Sequence, residues 1–340
     1  MSHEPTLIVG AGPIGLACGI SARRRGLDPL IVDAGAIAHS IVRYPVGMVF
    51  FTTPDGLEIG GHPLVCAGGK PTREEALKYY RGVVRSEGLR VRTYTKLRDA
   101  TRSEGRLQCT METRTGTEIL TCDRLVLATG YFDHPNQLAV PGEDLPHVHH
   151  WFDEPHRGSG LDVVVVGGKN SAVEAALQLY RAGARVTIVY RGAVWPATIK
   201  YWLRPDLENR IKFGEIQARM SAQVTEITLH HVAVRDEGGG IAKLPADRVY
   251  VLAGFRPDFA LYERLGIAFD AESGKPELNR ETLESSVRGI HLAGSAAAGL
   301  RLSEVFIENG RFDGEKIFGD APSRAAANEI YRSIQRPPGE

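Results

Sequence analysis

Residues 6–19, with the sequence TLIVGAGPIGLACG, run from a short apolar strand through a glycine-rich turn into a helix that begins near Pro13. Gly10, Gly12 and Gly15 have the spacing G-x-G-x-x-G. The first glycine allows a tight turn, the second lets a pyrophosphate approach the backbone, and the third lets the helix pack closely on the strand. The start of the helix offers N–H groups to the phosphates. This stretch therefore predicts a dinucleotide-binding unit.

An acidic residue follows at the distance that such a unit requires. A second predicted strand, residues 29–32, ends at Asp33, eighteen residues after Gly15. A carboxylate at this point can bond the 2′-hydroxyl of an adenosine ribose. A glycine-rich turn alone is a weak signal, because such turns are common. Strand, helix, second strand and acid in register favour nucleotide binding over a plain structural turn.

Length and composition limit the classes of protein. The chain has 340 residues, with 41 Lys and Arg against 41 Asp and Glu, so its net charge is zero. This length favours two domains. The balanced charge gives no reason to expect nucleic acid or an anionic membrane as a partner. No apolar run reaches the roughly 18 residues of a membrane span, and the N-terminus carries no signal region. We therefore expect a cytoplasmic protein.

The cysteines and histidines predict no metal site. The four cysteines are scattered, with neither a C-x-x-C nor a metal-ligand spacing: Cys18, Cys66, Cys109 and Cys122. Cys109 and Cys122 lie in segments of strand-like alternation and are expected to be buried apolar residues. One histidine cluster, at residues 147–150, stands in a Pro- and Gly-rich connection, where a solvated loop is the favoured interpretation.

Residues 39–71 show no clear periodicity. Loops of this length in a compact domain are usually functional or contain short elements of their own. Tyr44 and residues 50–53, which include Thr52, can form the wall of a flat aromatic cofactor. For Phe50 and Phe51 taken singly, simple core packing is about as plausible.

The remainder of the first region predicts a helix and a small antiparallel sheet. Residues 72–87 form an amphipathic helix that opens with a capping box between Thr72 and Glu75. Strand-like alternation follows, with turns at residues 104–105 and 115–116. The last strand, residues 124–128, leads into Thr129 and Gly130, a second place where backbone can approach the nucleotide.

A second unit of the same type follows a linker rich in Pro and Gly. It comprises an apolar strand at residues 162–166, a turn at Gly167 and Gly168, a helix at 171–182 and a strand at 185–190. This internal repeat predicts a second dinucleotide-binding unit. The fingerprint is incomplete here, because Lys169 stands at the second glycine position and Ala172 at the third. Lys169 would crowd the turn unless its side chain points away or pairs with phosphate.

The residue after the second strand of this unit predicts which nicotinamide nucleotide binds. Arg191 occupies the region where an NAD site carries an acid, and a guanidinium can fork onto a 2′-phosphate. NADPH is therefore favoured over NADH, unless Arg191 is merely a solvated cation at a strand end. Lys200 can add a second charge, and the aromatic loop 195–203 can cover the nicotinamide.

The last part of the chain is expected to return to the first domain. Gly254 and Pro257 mark the return, a strand at residues 290–293 leads into Gly294 and Ser295, and a helix begins at Ser303. Residues 323–334 form an amphipathic helix. The prediction is an α/β fold with two Rossmann-like, three-layer ββα nucleotide-binding domains. Their bounds are 1–137 and 257–330 for a discontinuous first domain, 138–256 for the inserted domain, and 331–340 for a tail.

Four features together resemble the low-molecular-weight thioredoxin-reductase-like flavoenzymes over essentially the whole chain. They are the GAGPIG turn with Asp33, Ala-Thr-Gly at residues 128–130, the inserted second unit, and Ala-Gly-Ser at residues 293–295. Within that group, the segments YPVGMVFFTT, GGKNSAVEAAL, IKYWLRP and EVFIENGRF resemble the YpdA-type family of bacillithiol disulfide reductases. The resemblance implies FAD on the first domain, NADPH on the inserted domain, hydride transfer from NADPH to FAD, and a homodimer.

The resemblance also implies which residues contact each cofactor. The FAD contacts are Gly10, Gly12, Pro13, Ile14, Gly15, Asp33, Ala34, Thr52, Thr129, Gly130, Gly294, Ser295, Glu304 and Val305. The NADPH contacts are Gly167, Gly168, Asn170, Ser171, Ala172, Arg191 and Lys200.

Three departures from the related families bear on the chemistry. Thioredoxin reductases have a C-x-x-C before the second glycine turn, whereas the matching segment here, HHWFDEPHRG, has no cysteine. The bacillithiol-type family has a cysteine in the first glycine turn, where this chain has Ile14. Ser295 replaces the usual Asp of thioredoxin reductases. Cys18 lies one helical turn beyond Ile14 and is expected to point into the core, so no catalytic residue is assigned.

The electron acceptor stays open at the level of sequence. A small-molecule disulfide is one candidate. A ferredoxin or flavodoxin is another, because an NADP reductase for these proteins needs no cysteine. A third possible function needs no acceptor for turnover: the chain would be a non-catalytic, flavin-binding redox sensor.

Overall fold

The computed structural model describes residues 2–301 and 305–334. Its residues group into two compact units. Within the described residues, the first unit comprises 2–43, 47–134 and 256–334, and the second comprises 44–46 and 135–255. The second unit is thus inserted, in the chain, between two parts of the first. Residues 44–46 belong to the second unit, although Phe50 and Thr52 belong to the first.

Residues 2–127 supply most of the first unit. The strands are β1 (Ser2–His3), β2 (Thr6–Val9), β3 (Leu30–Val32), β4 (Arg90–Arg92), β5 (Thr95–Ser103), β6 (Arg106–Thr113), β7 (Gly116–Cys122) and β8 (Arg124–Leu127). The helices are α1 (Pro13–Arg23), α2 (His39–Val42), α3 (Pro54–Leu57) and α4 (Arg73–Ser86).

The second unit follows with strands and two helices. The strands are β9 (Val148–His149), β10 (Asp162–Val166), β11 (Arg185–Val189), β12 (Ile216–Arg219), β13 (Gln223–Ile227), β14 (His231–Arg235), β15 (Ile241–Pro245) and β16 (Arg248–Val251). The helices are α5 (Asn170–Arg181) and α6 (Arg204–Lys212), with a 3-10 turn at Pro155–Gly158.

The chain then completes the first unit. Its elements here are α7 (Phe259–Arg264), β17 (Ile290–Leu292), a 3-10 turn at Gly294–Ala297, α8 (Ile307–Gly310), α9 (Asp313–Phe318) and α10 (Ala321–Ser333). The predicted helix start at Ser303 lies outside the described residues.

The first unit is built on a parallel sheet with the strand order β17-β8-β2-β3-β4. A second sheet, β1-β7-β6-β5, contains the antiparallel meander β5–β7. One face of the parallel sheet and the inner face of the meander share a core that contains Leu7, Leu125 and Met111. The alternating burial along β5 and β6 is what a sheet with one solvated face requires.

The second unit repeats this arrangement. Its parallel sheet has the order β12-β11-β10-β16-β9, and a three-stranded antiparallel sheet, β13-β14-β15, accompanies it. Val163 and Val165 of β10 face a core formed with α5 and α6. Val164 and Val166 face a core formed with β13–β15. Because both faces of β10 are covered, its sequence DVVVV is apolar throughout.

Several local predictions are confirmed. Thr72 and Glu75 form the expected capping box at the start of α4. Cys109 and Cys122 are fully buried, as the strand pattern indicates.

The prediction of a solvated loop around the histidine cluster is wrong, because Val148 and His149 form the edge strand β9 and pair with β16. Among the described residues, no helix combines the length and apolar character that a membrane span needs.

Candidate cofactor sites

The sequence motifs of the first unit meet at one edge of its parallel sheet. Because β2, β3, β8 and β17 are parallel, their carboxyl ends lie at the same edge. The segments that follow these strands begin at Gly10, Asp33, Ala128 and Ala293. Ligands of open α/β sheets bind outside the carboxyl ends of the strands. The four motifs therefore lie where a nucleotide site is expected.

The three glycines of the first turn meet different steric requirements. Gly10 has φ +110°, and a side chain there would overlap the carbonyl of Ala128. A side chain at Gly15 would overlap the carbonyl of Gly10. By contrast, no atom lies within 4 Å of the place that a Gly12 side chain would take. Packing thus fixes the first and third glycines, and the second leaves the backbone of the turn open to a ligand.

Asp33 connects the end of β3 to this turn. Its Oδ2 accepts a hydrogen bond from Ala11 N and its Oδ1 accepts one from Gly35 N, both at 2.7 Å. Burial raises the pKa of Asp33, while these two N–H donors oppose that rise. A carboxylate has about four acceptor positions, so two remain for ribose hydroxyls. Ala34, the next residue, is exposed.

A buried hydroxyl at the same edge provides a test of whether a polar ligand fits. The Oγ1 of Thr129 is buried and has no hydrogen-bond partner in the part of the chain that the structure describes. Gly130 has φ +68°, and Ser295 Oγ lies 3.7 Å from where its side chain would begin. Buried hydroxyls are nearly always hydrogen-bonded. The unsatisfied Thr129 and the adjacent Ser295 therefore fit a polar cofactor chain such as that of FAD.

Ile14 is held by two glycines distant in sequence. A methyl group at Gly294 would lie 2.9 Å from Ile14 Cγ1, and one at Gly310 would lie 3.0 Å from Ile14 Cδ1. Val305 lies beside the same position of Gly310. Glu304 lies outside the described residues. Ile14 is therefore an apolar packing residue between the first turn and the C-terminal segment.

Sequence reasoning missed Asp313, the first residue of α9. The residue is 5% exposed, and its Oδ2 accepts a hydrogen bond of 2.7 Å from Gly294 N. Burial raises the pKa of Asp313 to about 6, although the Gly294 N–H and the nearby Lys316 act in the opposite direction. Asp313 thus fixes the Gly294–Ser295 turn. The sequence contains no local signal for this contact between residues 19 positions apart.

The structure gives Cys18 no reactive character. The side chain is fully buried in α1, and burial raises its pKa well above that of an ordinary thiol. The negative charges of Asp313 and Glu315 raise it further. Because the thiolate is the nucleophile in disulfide chemistry, a thiol held neutral is inert. The expectation that Cys18 points into the core is confirmed by its burial.

None of the other three cysteines has a fully exposed thiol. Cys109 and Cys122 lie in adjacent strands of the meander with their Sγ atoms 3.7 Å apart. Contact with Cys109 and burial raise the pKa of Cys122. Cys66 is half-buried, and its Sγ donates to the carbonyl of Gly68. All four cysteines are free thiols.

The glycine turn of the second unit follows the central strand β10. Gly167 has φ +145°, and a methyl group there would lie 2.9 Å from the Cβ of Ala172. A side chain at Gly168 would collide with the ring of Tyr190. This ring stacks on that of Trp195, with the two ring centres 5.5 Å apart. Lys169 is exposed, so it does not crowd the turn. The turn thus tolerates the incomplete fingerprint.

The other predicted NADPH residues surround this turn and the end of β11. Ser171 is exposed at the start of α5, and Arg191 is exposed after β11. Within the described residues, Arg191 forms no ion pair, so its guanidinium is available to an anion. Asn170 makes its side-chain hydrogen bonds to the loop that contains Lys200.

Thr52, another predicted FAD contact, lies just before α3. Its Oγ1 packs at Gly56, which also approaches Glu308 of α8.

No group of three or more His, Cys, Asp or Glu side chains that could hold a metal occurs in residues 2–301 and 305–334.

Comparisons with known proteins agree with this geometry. The profile of the pyridine nucleotide-disulphide oxidoreductase family matches residues 7–294. The chain is 40% identical over 324 residues to the bacilliredoxin reductase Bdr of Bacillus subtilis, covering 95% of this chain and 99% of that protein. The bacillithiol disulfide reductase Bdr (YpdA) of Bacillus cereus superposes with a TM-score of 0.91 at 38% identity, over 98% of this chain and 100% of that one.

A more distant structure shows the fold alone. The thioredoxin reductase of T. acidophilum superposes with a TM-score of 0.72 at 20% identity, over 98% of this chain and 99% of that one. The chain therefore has the mixed α/β fold of thioredoxin reductase.

Proposed function

The chain belongs to the pyridine nucleotide-disulphide oxidoreductase family, and on that basis we propose that it transfers electrons from NADPH to a low-molecular-weight disulfide of the bacillithiol type. It is an oxidoreductase that depends on FAD and NAD(P)H. The observation that carries the proposal is the similarity to Bdr over nearly the whole chain. The family match, at residues 7–294, spans both glycine turns, one in each unit.

We assign FAD to the first unit and NADPH to the second. The open backbone at Gly12, the carboxylate of Asp33 and the unsatisfied hydroxyl of Thr129 support FAD at the first sheet edge. The exposed Arg191 after β11, which forms no ion pair with the residues that the structure describes, supports a nucleotide with a 2′-phosphate on the second. The proposed domains are Rossmann-like, with the bounds 1–137 and 257–330 for FAD and 138–256 for NADPH.

The residues of the chain bind and orient, while the cofactors supply the redox chemistry. Bound FAD supplies a two-electron acceptor for hydride from NADPH and a donor to the next acceptor. Gly12 and the start of α1 offer backbone N–H groups to the FAD pyrophosphate. Asp33 holds the adenosine ribose, and Thr129 and Ser295 supply hydroxyls to the cofactor chain. Asp313 holds the Gly294 turn in place.

The proposed reaction uses no protein dithiol. The sequence has no C-x-x-C, and the buried, neutral Cys18 is unsuited to attack a disulfide. Bound FAD would therefore have to supply the electrons without help from a protein thiol. Bacillithiol disulfide and bacilliredoxin are the acceptors that the names of the relatives suggest.

A second candidate acceptor is a ferredoxin or flavodoxin. Ile14 and the burial of Cys18 favour it, because an NADP reductase for these proteins needs no thiol near the flavin. The two candidates differ in the acceptor and share the same cofactors.

Anaerobic reduction followed by addition of acceptors tests the proposal. We expect NADPH to bleach the flavin absorbance rapidly and NADH to do so much more slowly. Bacillithiol disulfide or oxidised bacilliredoxin should then restore the yellow colour, and Cys18→Ser should leave both rates unchanged. Reoxidation by ferredoxin or flavodoxin, with no response to either thiol substrate, would establish the second candidate instead.

Two further parts of the proposal concern assembly and location. The resemblance to thioredoxin-reductase-like enzymes supports a homodimer, which sedimentation of the holoenzyme would test. Four free cysteines are compatible with a reducing compartment, which supports a cytoplasmic location.

A further inference from the structure

Asn170, the first residue of α5, uses both ends of its side-chain amide on one loop. Its Nδ2 donates to the carbonyl of Thr198 at 3.2 Å, and its Oδ1 accepts from Lys200 N at 2.8 Å. A carbonyl needs a donor and an N–H needs an acceptor, so the two partners fix the orientation of the amide. Asn170 is thus a clamp between the start of α5 and a loop about thirty residues later.

The backbone of Lys200 is fixed on both sides. Its N–H donates to Asn170, and its carbonyl accepts from Leu203 N at 2.9 Å and Arg204 N at 3.2 Å, where α6 begins. The preceding Ile199 is 3% exposed and packs in the core of the second unit, whereas Tyr201, on the other side, is 79% exposed. A cation in an otherwise exposed loop therefore stands on a rigid backbone.

We propose that Lys200 binds the pyrophosphate of NADPH and that Asn170 is the positioning residue that holds Lys200 there. This inference rests on the proposed function. A dinucleotide-binding unit holds the pyrophosphate at its glycine turn and the start of the following helix. The hydrogen bond to Asn170 places the backbone of Lys200 at that helix end, and its Nζ lies 5.7 Å from the ring centre of Trp202 in the same loop. Arg191 follows the end of β11, where a dinucleotide-binding unit holds the adenosine ribose and its 2′-phosphate. An ammonium group pairs with either phosphoryl oxygen as a point charge.

This role differs from the one that the sequence alone predicts. There, Lys200 adds a second charge for the 2′-phosphate, which only NADPH carries. The pyrophosphate is common to NADH and NADPH. Loss of Lys200 should therefore weaken the binding of both nucleotides by the same factor if it contacts the pyrophosphate, and the binding of NADPH alone if it contacts the 2′-phosphate.

Calorimetric titration of the oxidised FAD holoenzyme separates the two assignments. We expect Lys200→Ala to weaken NADP⁺ and NAD⁺ equally, by about tenfold or more, which corresponds to the loss of one charge-assisted contact. Binding of 2′-AMP, which lacks the pyrophosphate, should not change. Lys212→Ala removes the same charge from an exposed position of α6 and should have no effect. Weaker binding of NADP⁺ and 2′-AMP with unchanged NAD⁺, or no change for any nucleotide, would overturn the assignment.

A double-mutant cycle tests the role of Asn170. If Asn170 acts through Lys200, Asn170→Ala should weaken both dinucleotides in the wild-type background and add little in the Lys200→Ala background. Equal losses in both backgrounds would mean that Asn170 contacts the nucleotide itself, contrary to the inference. A wild-type holoenzyme that binds neither dinucleotide would overturn the proposed function as well.

Discussion

Asp313 illustrates how one buried side chain can make stability depend on pH. Its pKa is about 6 in the folded protein, against an ordinary value of 3.8. The folded state therefore holds the proton more tightly than the unfolded state. The contribution of this group to stability is fully present below about pH 4 and is lost as the pH rises through 6. A difference of about two pKa units corresponds to roughly 3 kcal/mol.

Replacing this carboxyl by an amide should remove that pH dependence. Asp313→Asn keeps an oxygen that can accept from Gly294 N but carries no charge. We expect the melting temperature of the variant, relative to wild type, to rise as the pH increases from 4 to 7. Glu315→Gln, a half-buried neighbour paired with Arg25, is the control and should not show this trend. A constant difference between Asp313→Asn and wild type across this range would contradict the account.

We place Arg191 at the 2′-phosphate of the nucleotide, so a single residue is expected to set the preference for NADPH over NADH. In Arg191→Ala, we expect the dissociation constant of NADP⁺ to rise by about tenfold to a hundredfold, because a charged contact to the 2′-phosphate is lost. The dissociation constant of NAD⁺ should change little. Titration of both nucleotides measures this, and equal losses would rule out the 2′-phosphate assignment.

At the scale of elements, α1 and α9 approach closely because Gly314 has no side chain. A methyl group there would lie 2.9 Å from Cys18 Cα, 2.8 Å from Ser21 Cβ and 3.2 Å from Ala17 O. Much of this surface is backbone, which cannot move aside easily. We expect Gly314→Ala to destabilise the protein by about 1–3 kcal/mol through overpacking.

A second glycine supplies the matched control for that prediction. Gly82 lies within α4, and no atom stands within 4 Å of the place its side chain would take. Gly82→Ala should therefore stabilise the protein slightly, by about 0.5–1 kcal/mol, because alanine favours helix. Thermal unfolding of the two variants and of wild type measures whether each substitution raises or lowers stability. A Gly314→Ala variant as stable as Gly82→Ala would show that the two helices separate without cost.

Elements with local signals could be predicted from the sequence, and elements fixed by distant contacts could not. The capping box of α4 and the apolar run of β10 are visible in a few consecutive residues, and both are present. The edge strand β9 has two residues and exists because β16 lies beside it. The grouping of residues 44–46 with the second unit likewise depends on tertiary contact, including the hydrogen bond from Val46 N to Asp153 O.

The same limit applies to the candidate site. Glycine spacing locates the turns at Gly10 and Gly167, because the geometry that they serve is local. Asp313 and the clamp of Asn170 depend on partners 19 to 30 residues away, and no periodicity reveals them.

At the scale of the whole molecule, the two units carry different spectroscopic probes. The three tryptophans, Trp151, Trp195 and Trp202, all belong to the second unit. Flavin fluorescence on release should report the first unit, where we place FAD. Each unit has its own core, so one melting temperature need not describe both.

Ligand binding should therefore shift the tryptophan transition and the flavin-release transition by different amounts. We expect NADP⁺ at about a hundred times its dissociation constant to raise the tryptophan transition by several degrees, since this contributes about 2.7 kcal/mol. The flavin-release transition should move less. Arg191→Ala at the same NADP⁺ concentration is the control and should show a smaller shift. If only the flavin transition responded, the nucleotide would have been assigned to the wrong unit.

The placement of the cysteines bears on whether disulfides can modify the protein itself. Cys18, Cys109 and Cys122 are completely enclosed, and Cys66 is half-buried. Formation of a mixed disulfide needs an accessible thiolate. Under the function that we propose, the protein works among disulfides that can S-thiolate exposed cysteines, and enclosure removes three of its four thiols from that exchange. The same burial that denies these thiols a catalytic role thus also protects them from modification.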